Sequence, residues 1–480
     1  MLPNKARRRE TLNNPFEQRL ETVLRDKLDD CQALIACERL SGGANQETYR
    51  LVIRHSTGDR PLALRRAAGG SAEGLSELNV GLATEARLFE IARDFAVPAP
   101  EILYVLRADD GLGDGFVMSW LEGETLGHRI VRAPEFEAVR PRLAAQCGEI
   151  LARIHAIDVS ATGLEGLLPA LSPRDEIEQT WSRYRAFETA QPMIDYTARW
   201  LLDHVPAAPR RALVHSDFRN GNLMIDASGV IGVLDWEIAH IGDPVRDLGW
   251  LCTNSWRFGR DDLPVGGFGN RDDLLNAYNT HADVDVTEEH LHFWQVFGSF
   301  WWAVGCLAMA DQFRSGPDRS VERPAIGRRS SECQADCVNL LIPGPFDRIE
   351  APTAGRRADL PHAEELLDSV AAFLREDAST ATGGRTRFFA KVAANSLDIV
   401  KRESKLGPAL EQSEYASLRA LLKRPGDRDT LRWELVSGLR DGTIDPGLPG
   451  LARHLRDTVL NQLAIDQPGY PALATAAKKA

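Results

Sequence analysis

Between Leu213 and Leu248 the chain reads LVHSDFRNGNLMIDASGVIGVLDWEIAHIGDPVRDL, and three of its oxygen-bearing side chains are spaced to suit one site. Asp217 and Asn222 lie within the segment HSDFRNGN, and Asp235 closes a later apolar run. Phosphoryl transfer needs such a set, because its loose transition state asks for a positioned hydroxyl, a group to take its proton and a metal to neutralise phosphate charge. Asp217 is the candidate catalytic base. Asn222 and Asp235 are the candidate ligands of Mg²⁺, an ion that takes one or two protein oxygens together with phosphates and water. His215 is then a bracing residue rather than the base.

Two runs rich in β-formers, 222–225 and 230–234, flank Asp226-Ala227-Ser228-Gly229, whose turn chemistry predicts a hairpin. The hairpin would carry Asn222 and Asp235 to one mouth, beside Asp217. Upstream, residues 37–53 read strand, turn, strand, with Ser41, Gly42, Gly43 and Asn45 in the turn. Glycine there lets backbone N–H groups approach a triphosphate that a Cβ would hold off. An ordinary hairpin has the same local sequence.

The pair HSDFRNGN and LDWE resembles the aminoglycoside phosphotransferase and choline kinase family, which has a protein-kinase-like fold, and the resemblance extends over residues 36–345. Ser216 stands where that family usually has glycine. The resemblance implies an α+β, two-lobed protein-kinase-like fold with a small β-rich N-lobe and a larger helical C-lobe. It also implies ATP as cofactor, with GTP not excluded, together with Mg²⁺. In the strand PLALRR, Arg65 matches the position where most of the family has lysine; it would meet the phosphates and a helix glutamate. Arg keeps the charge but is not a neutral replacement, and Arg66 is a second candidate because register is open. Glu85, on a helix over 82–94, is the expected partner, with Glu90 as the fallback. Ser119, Trp120 and Leu121, at the end of a strand over 115–121, match the hinge that meets the adenine edge. Asp243 and Asp247 match acids that brace the catalytic loop, and both also suit helix capping.

A length of 480 residues implies more than one folding unit. The expected divisions are a leading tail and helix (1–30), an N-lobe (31–121), a C-lobe (122–348), a linker (349–360) and a separate C-terminal all-α domain (361–480). A net charge of −12 argues against nucleic acid as the main partner. Seven cysteines with no CxxC spacing suggest reduced thiols and a cytoplasmic location. The start lacks the apolar core of a signal peptide, and the most apolar stretch, 296–310, is too short for a membrane span.

Residues 311–330 carry five arginines, Arg314, Arg319, Arg323, Arg328 and Arg329, against three acids. That bias suits an anionic or CoA-linked hydroxyl acceptor better than a polycationic aminoglycoside, although a solvated basic helix face has the same pattern. LALRR, LARIHAID (151–158) and RSG…AIGRR (314–329) are similar to the kinase-like domains found with acyl-CoA dehydrogenases, which are implicated in phosphorylating hydroxyacyl-CoA or hydroxy-acid substrates. The tail, with RFFAKVAANSLDIVKRE, looks like a helical domain of unknown role that accompanies such kinases, open to dimerisation, docking or a substrate-lid role. The alternative for the whole is a nucleotide-binding pseudokinase acting through that tail, which the replacement of lysine by Arg65 favours; an aminoglycoside-type phosphotransferase is a second alternative.

Overall fold

The computed structural model describes residues 14–40, 46–68, 79–206, 211–282, 285–316, 318–352, 361–378, 380 and 383–478. In chain order its elements begin α1 (Pro15–Lys27), β1 (Cys31–Arg39), β2 (Gln46–His55), β3 (Gly58–Ala67), α2 (Leu82–Asp94), β4 (Ile102–Val105) and β5 (Gly115–Ser119). Next come α3 (Gly127–Ile130), α4 (Arg140–His155), α5 (Pro173–Arg185), α6 (Pro192–Asp203), β6 (Ala212–Val214), β7 (Leu223–Asp226), β8 (Gly229–Val233), β9 (His240–Gly242) and α7 (Val245–Leu251). The remainder is helical: α8 (Arg271–His281), α9 (Glu288–Ser315), α10 (Glu322–Arg328), α11 (Ser330–Leu341), α12 (Ala363–Phe373), α13 (Gly384–Leu422), α14 (Arg428–Asp441), α15 (Leu451–Asp466) and α16 (Pro471–Lys478).

Two compact units divide the chain: Met1–Ala170 with Arg210–Asp247 and Phe268–Asp285, and Leu171–Pro209 with Leu248–Gly267 and Val286–Ala480. The first unit carries a five-stranded antiparallel sheet in the order β1-β2-β3-β5-β4. Helix α1 starts on the Asn14 side chain, which accepts from Phe16 N at 3.0 Å, and on Pro15 at its first position. Its Leu20, Val23 and Leu24 share a core with Leu51, Ile53, Leu62 and Leu64 of the sheet.

Strand alternation separates the two candidate arginines. Arg66 pairs with Glu47 at 3.3 Å, and its guanidinium sits 4.6 Å from the Phe16 ring of α1. Arg65 pairs instead with Glu85 of α2. A neighbouring aromatic pair, Phe89 of α2 and Phe116 of β5, has its ring centroids 5.9 Å apart.

Two short ribbons shape the loops of interest. β7 and β8 form the predicted hairpin, with Asp226 opposite Gly229 and the Ser228 N–H and hydroxyl both donating to Asp226 Oδ1. Gly229 has φ +134°, and a Cβ there would lie 2.2 Å from Gln146 Oε1, so the turn needs glycine. β6 pairs with β9, leaving 215–222 and 234–239 as the loops that run between the ribbons.

The second unit is helical. In its C-terminal helices, Leu418, Leu431, Leu435, Leu439, Leu451 and Leu463 share a core with Met193 and Tyr196 of α6 and Ala335, Cys337 and Val338 of α11. At the start of the expected linker (349–360), Ile349 N donates to Asn461 Oδ1, and Asn461 Nδ2 donates to the Asp347 carbonyl just before it. Residues 353–360 lie outside the described residues.

Helix α9 runs 28 residues, longer than its purely apolar stretch, because polar residues at both ends continue it. By length and composition alone it could cross a membrane, and 72% of its apolar window is buried inside the protein. The basic segment after it is engaged within the chain. Arg314 meets Asp311, Arg319 donates to the Phe313 carbonyl, and Arg323 donates to Asp318. Arg328 pairs with Glu403 and Asp466, and Arg329 pairs with Glu332. The described cysteines are all free thiols.

Candidate active site

The loop 215–222 is held from below by Asp247. Its Oδ2 accepts from His215 N and its Oδ1 from Ser216 N, both at 2.8 Å, and Oδ2 also faces His155 Nε2 at 3.2 Å. His155, at the end of α4, contacts the Tyr278 hydroxyl of α8 through Nδ1 at 2.9 Å. Burial pushes the Asp247 carboxyl up, but the hydrogen bond and charge of His155, with the charge of Arg246, outweigh it and hold it below its ordinary value. The carboxylate therefore stays ionised while satisfying two main-chain donors. Arg246 adds a third brace by donating to the Ser216 carbonyl at 2.7 Å. Asp243 caps the turn into α7, its Oδ1 accepting from Val245 N at 3.0 Å.

Ser216 adopts φ +71°, which explains why glycine suits this position and serine is a departure with a cost. Its hydroxyl contacts His240 Nδ1 at 2.6 Å. The His215 ring is tied at both nitrogens to backbone: Asp217 N donates to Nδ1 at 3.2 Å, so the proton sits on Nε2, which donates to the Leu234 carbonyl at 3.1 Å. Burial pushes its imidazole below the ordinary value, against the opposing charges of Asp247, Asp217 and Asp235. A neutral imidazole bonded in this way links the two loops and has no nitrogen left for a substrate.

Asp217 projects from the same loop. Asn222 Nδ2 donates to its carboxylate Oδ2 at 2.5 Å and to its carbonyl at 3.0 Å, and Arg219 Nε donates to its Oδ1 at 2.9 Å. Asn222 is joined to the second loop by its own carbonyl, which accepts from Leu234 N at 2.9 Å, next to Asp235. Asp235 has φ +70°, so its backbone leaves the strand β8 in a left-handed turn.

Beyond Asp235 lies a cluster of three carboxylates around one cation. Arg65 Nη2 donates to Asp235 Oδ1, Arg65 Nε lies 3.2 Å from Glu85 Oε2, and Nη2 lies 3.9 Å from Glu237 Oε2. Glu237 also accepts from Gln46 Nε2 at 2.9 Å and Asn79 Nδ2 at 3.2 Å. Burial, with the charge of Asp235, pushes Glu237 up to about 7. Burial likewise pushes Glu85 up to about 7, against the pull of Arg65. Asp235 goes the other way: burial would raise it, but the charge and hydrogen bond of Arg65, with the charge of Arg219, hold it low. Arg65 thus keeps Asp235 ionised, and of the three it is the carboxylate whose charge would suit a divalent cation. Among the described residues no group of three or more His, Cys, Asp and Glu side chains could hold a metal; Asp235 and the Asn222 amide could hold one only as an open pair completed by phosphate and water.

At the expected hinge, Ser119 exchanges two hydrogen bonds with the Glu101 backbone, N to carbonyl at 2.8 Å and Oγ from N at 2.9 Å. Trp120 has the Arg50 guanidinium 5.3 Å from its ring centroid. Leu121 packs over the hairpin where Gly232 makes room for it: a Cβ there would lie 2.6 Å from Leu121 Cδ1. Ser41, Gly42, Gly43 and Asn45 lie outside the described residues.

Four residues of this region escaped the sequence reading. Glu237 lies two residues after Asp235 in LDWE, and Arg219 two after Asp217, so proximity to a motif was their signal. His155 lies in LARIHAID, whose resemblance gives its histidine no role of its own. His240 carried no local signal.

Comparison with known proteins bears on this site. A model of the phosphotransferase enzyme family matches residues 36–283, and a domain of unknown function, DUF6285, matches residues 380–470. Acyl-CoA dehydrogenase family member 10 of Mus musculus is 30% identical over 221 residues, which are 44% of this chain and 19% of that protein. Acyl-CoA dehydrogenase family member 11 of Gallus gallus is 30% identical over 265 residues, 51% of this chain and 32% of that protein. The chain thus spans less than a third of either relative. A solved structure from Ralstonia eutropha, provisionally named an aminoglycoside phosphotransferase, superposes with a TM-score of 0.54 at 21% identity, covering 67% of this chain and 97% of that one. At that identity the likeness is one of fold.

Proposed function

The chain belongs to the phosphotransferase enzyme family, and on that premise we propose that it is an ATP-dependent small-molecule kinase that phosphorylates a hydroxyl acceptor. The observation that carries this reading is the hold of Asn222 on Asp217, at the carboxylate and the carbonyl alike, with Asp235 on the adjoining loop. In this account Asp217 accepts the proton of the attacking hydroxyl and fixes its direction. Asn222 aims that carboxylate and keeps its own Oδ1 for the metal, which Asp235 shares. Mg²⁺, when bound, would neutralise charge on the transferring phosphoryl group. Arg65 and Arg219 supply further positive charge toward the phosphates, Arg65 with Glu85 as its anchor. Ser119 to Leu121 would offer backbone groups to the base.

The acceptor class we favour is a hydroxyacyl-CoA or free hydroxy acid. Its support is the similarity to segments of proteins named acyl-CoA dehydrogenase family members, not the arginines of 311–330. A nucleotide-binding protein without turnover is the second reading, and the replacement of lysine by Arg65 favours it. ³¹P detection of phosphoryl transfer from Mg·ATP, offered hydroxyacyl-CoAs, hydroxy acids, choline-like alcohols and aminoglycosides, tests both. A phosphomonoester of a hydroxyacyl-CoA or hydroxy acid supports the first reading. ATP binding with no product from any class supports the second, and activity on aminoglycosides alone overturns the acceptor.

A further inference from the structure

Arg65 holds two anchors at once. Its Nε lies 3.2 Å from Glu85 Oε2 on α2, while its Nη2 donates to Asp235 Oδ1 on the loop after β8. The side chain is only 15% exposed and Glu85 is fully enclosed, so the guanidinium has little room to move while both contacts stand. The carboxylate that it occupies belongs to the residue best placed to take the metal.

The chemistry of the fork explains why this position matters. A guanidinium presents donors along more than one edge of its plane and can satisfy two carboxylates in different directions. A lysine ammonium in the same place ends where the arginine has Cζ, one bond short of Nη2. It could keep Glu85 but would make a poorer contact with Asp235.

Resting on the kinase reading above, we propose that Arg65 is a latch on the metal site: without nucleotide it occupies Asp235, and the phosphates of the incoming nucleotide draw it off, freeing Asp235 for the cation. Metal and nucleotide then bind cooperatively, each raising the affinity of the other by the same factor. The free enzyme excludes a bare divalent ion, which protects the charged cluster from filling unproductively. Arg65 acts here as a positioning residue on Asp235, apart from any contact of its own with phosphate.

The test uses the full chain and Mn²⁺ as a spectroscopic stand-in for Mg²⁺, with free ion counted by electron paramagnetic resonance. Wild type, Arg65→Lys and Arg65→Met are titrated without nucleotide and with a non-hydrolysable ATP analogue, after correction for Mn²⁺ held by the analogue alone. The latch predicts that, without nucleotide, Arg65→Lys binds Mn²⁺ about tenfold more tightly than wild type. It also predicts that the analogue closes most of that gap. Thermal melting of each variant confirms that it is folded. Equal affinity of wild type and Arg65→Lys without nucleotide, with only Arg65→Met tighter, overturns the latch and leaves simple charge repulsion. The absence of saturable Mn²⁺ binding in wild type and Arg65→Lys, even with the analogue, overturns the metal site and the latch with it.

Discussion

Asn222 grips Asp217 twice, donating from one amide nitrogen to the carboxylate Oδ2 at 2.5 Å and to the main-chain carbonyl at 3.0 Å. The side-chain carboxylate is thereby fixed relative to its own backbone. Replacing Asn222 with Ala should leave the fold standing but release Asp217, lowering kcat by about a hundredfold or more, the scale expected when a reacting group drifts by about 1 Å. Steady-state kinetics alongside a thermal melt would check this. A variant with unchanged kcat would show that Asp217 needs no such hold.

Asp247 is fully buried and accepts from two main-chain N–H groups of the catalytic loop. Asp247→Ala strands both donors and removes the counter-charge of the loop. We expect a loss of roughly 3–5 kcal/mol, the range for breaking a buried charged hydrogen-bonded partner. Urea unfolding followed by tryptophan fluorescence reads it directly. Asp247→Asn, which can accept on one oxygen only, should fall between wild type and Ala.

Ser216 offers a test in which two terms oppose one another. Ser216→Gly relieves the φ of +71° but loses the hydroxyl contact with His240 at 2.6 Å. Each term is about 1 kcal/mol, so the variant should lie within about 1 kcal/mol of wild type. Ser216→Ala keeps the strain and loses the contact, so it should be less stable than both. Equilibrium unfolding of the three proteins ranks them, and Ala equal to Gly would remove the strain argument.

Much of this site was legible in the sequence because its signals are local. The turn residues Asp226 to Gly229 announce the hairpin, and HSDFRNGN with LDWE places Asp217, Asn222 and Asp235 near it. The choice between Arg65 and Arg66 was not legible, since a shift of one residue exchanges the faces of a strand and only the packed partners, Glu85 against Glu47, decide it. Glu237 and His155 escaped because their roles depend on what distant strands and helices bring to them, Gln46 and Asn79 for one and Tyr278 for the other. The tail illustrates the same limit at larger scale. Its helical stripes show which faces are apolar, but not that Leu418 and Leu463 share a core with Met193 and Val338.

Asp336 in the second unit supplies a pH test. It accepts from Asn254 Nδ2 at 2.7 Å and from the Tyr470 hydroxyl at 2.8 Å, yet burial pushes its carboxyl up to about 7. Below the ordinary value of 3.8 both folded and unfolded chains carry the proton. Between there and about 7 the unfolded chain has released it while the folded chain still holds it, so stability falls as pH rises through that window and levels off above it. Asp336→Asn should abolish this part of the pH dependence and, at a pH above 7, stabilise the protein by on the order of 2 kcal/mol. Unfolding midpoints of both proteins from acid to mildly alkaline pH check the sign.

Asp217→Asn probes most directly whether Asp217 takes the hydroxyl proton, because it preserves shape while removing the base. The measurement is acceptor-dependent ADP formation under saturating Mg·ATP, paired with the dissociation constant for the nucleotide. With Asp217 as the base, turnover falls by at least about a hundredfold while nucleotide affinity stays unchanged to within a few-fold. Turnover at the wild-type rate in Asp217→Asn would contradict that role.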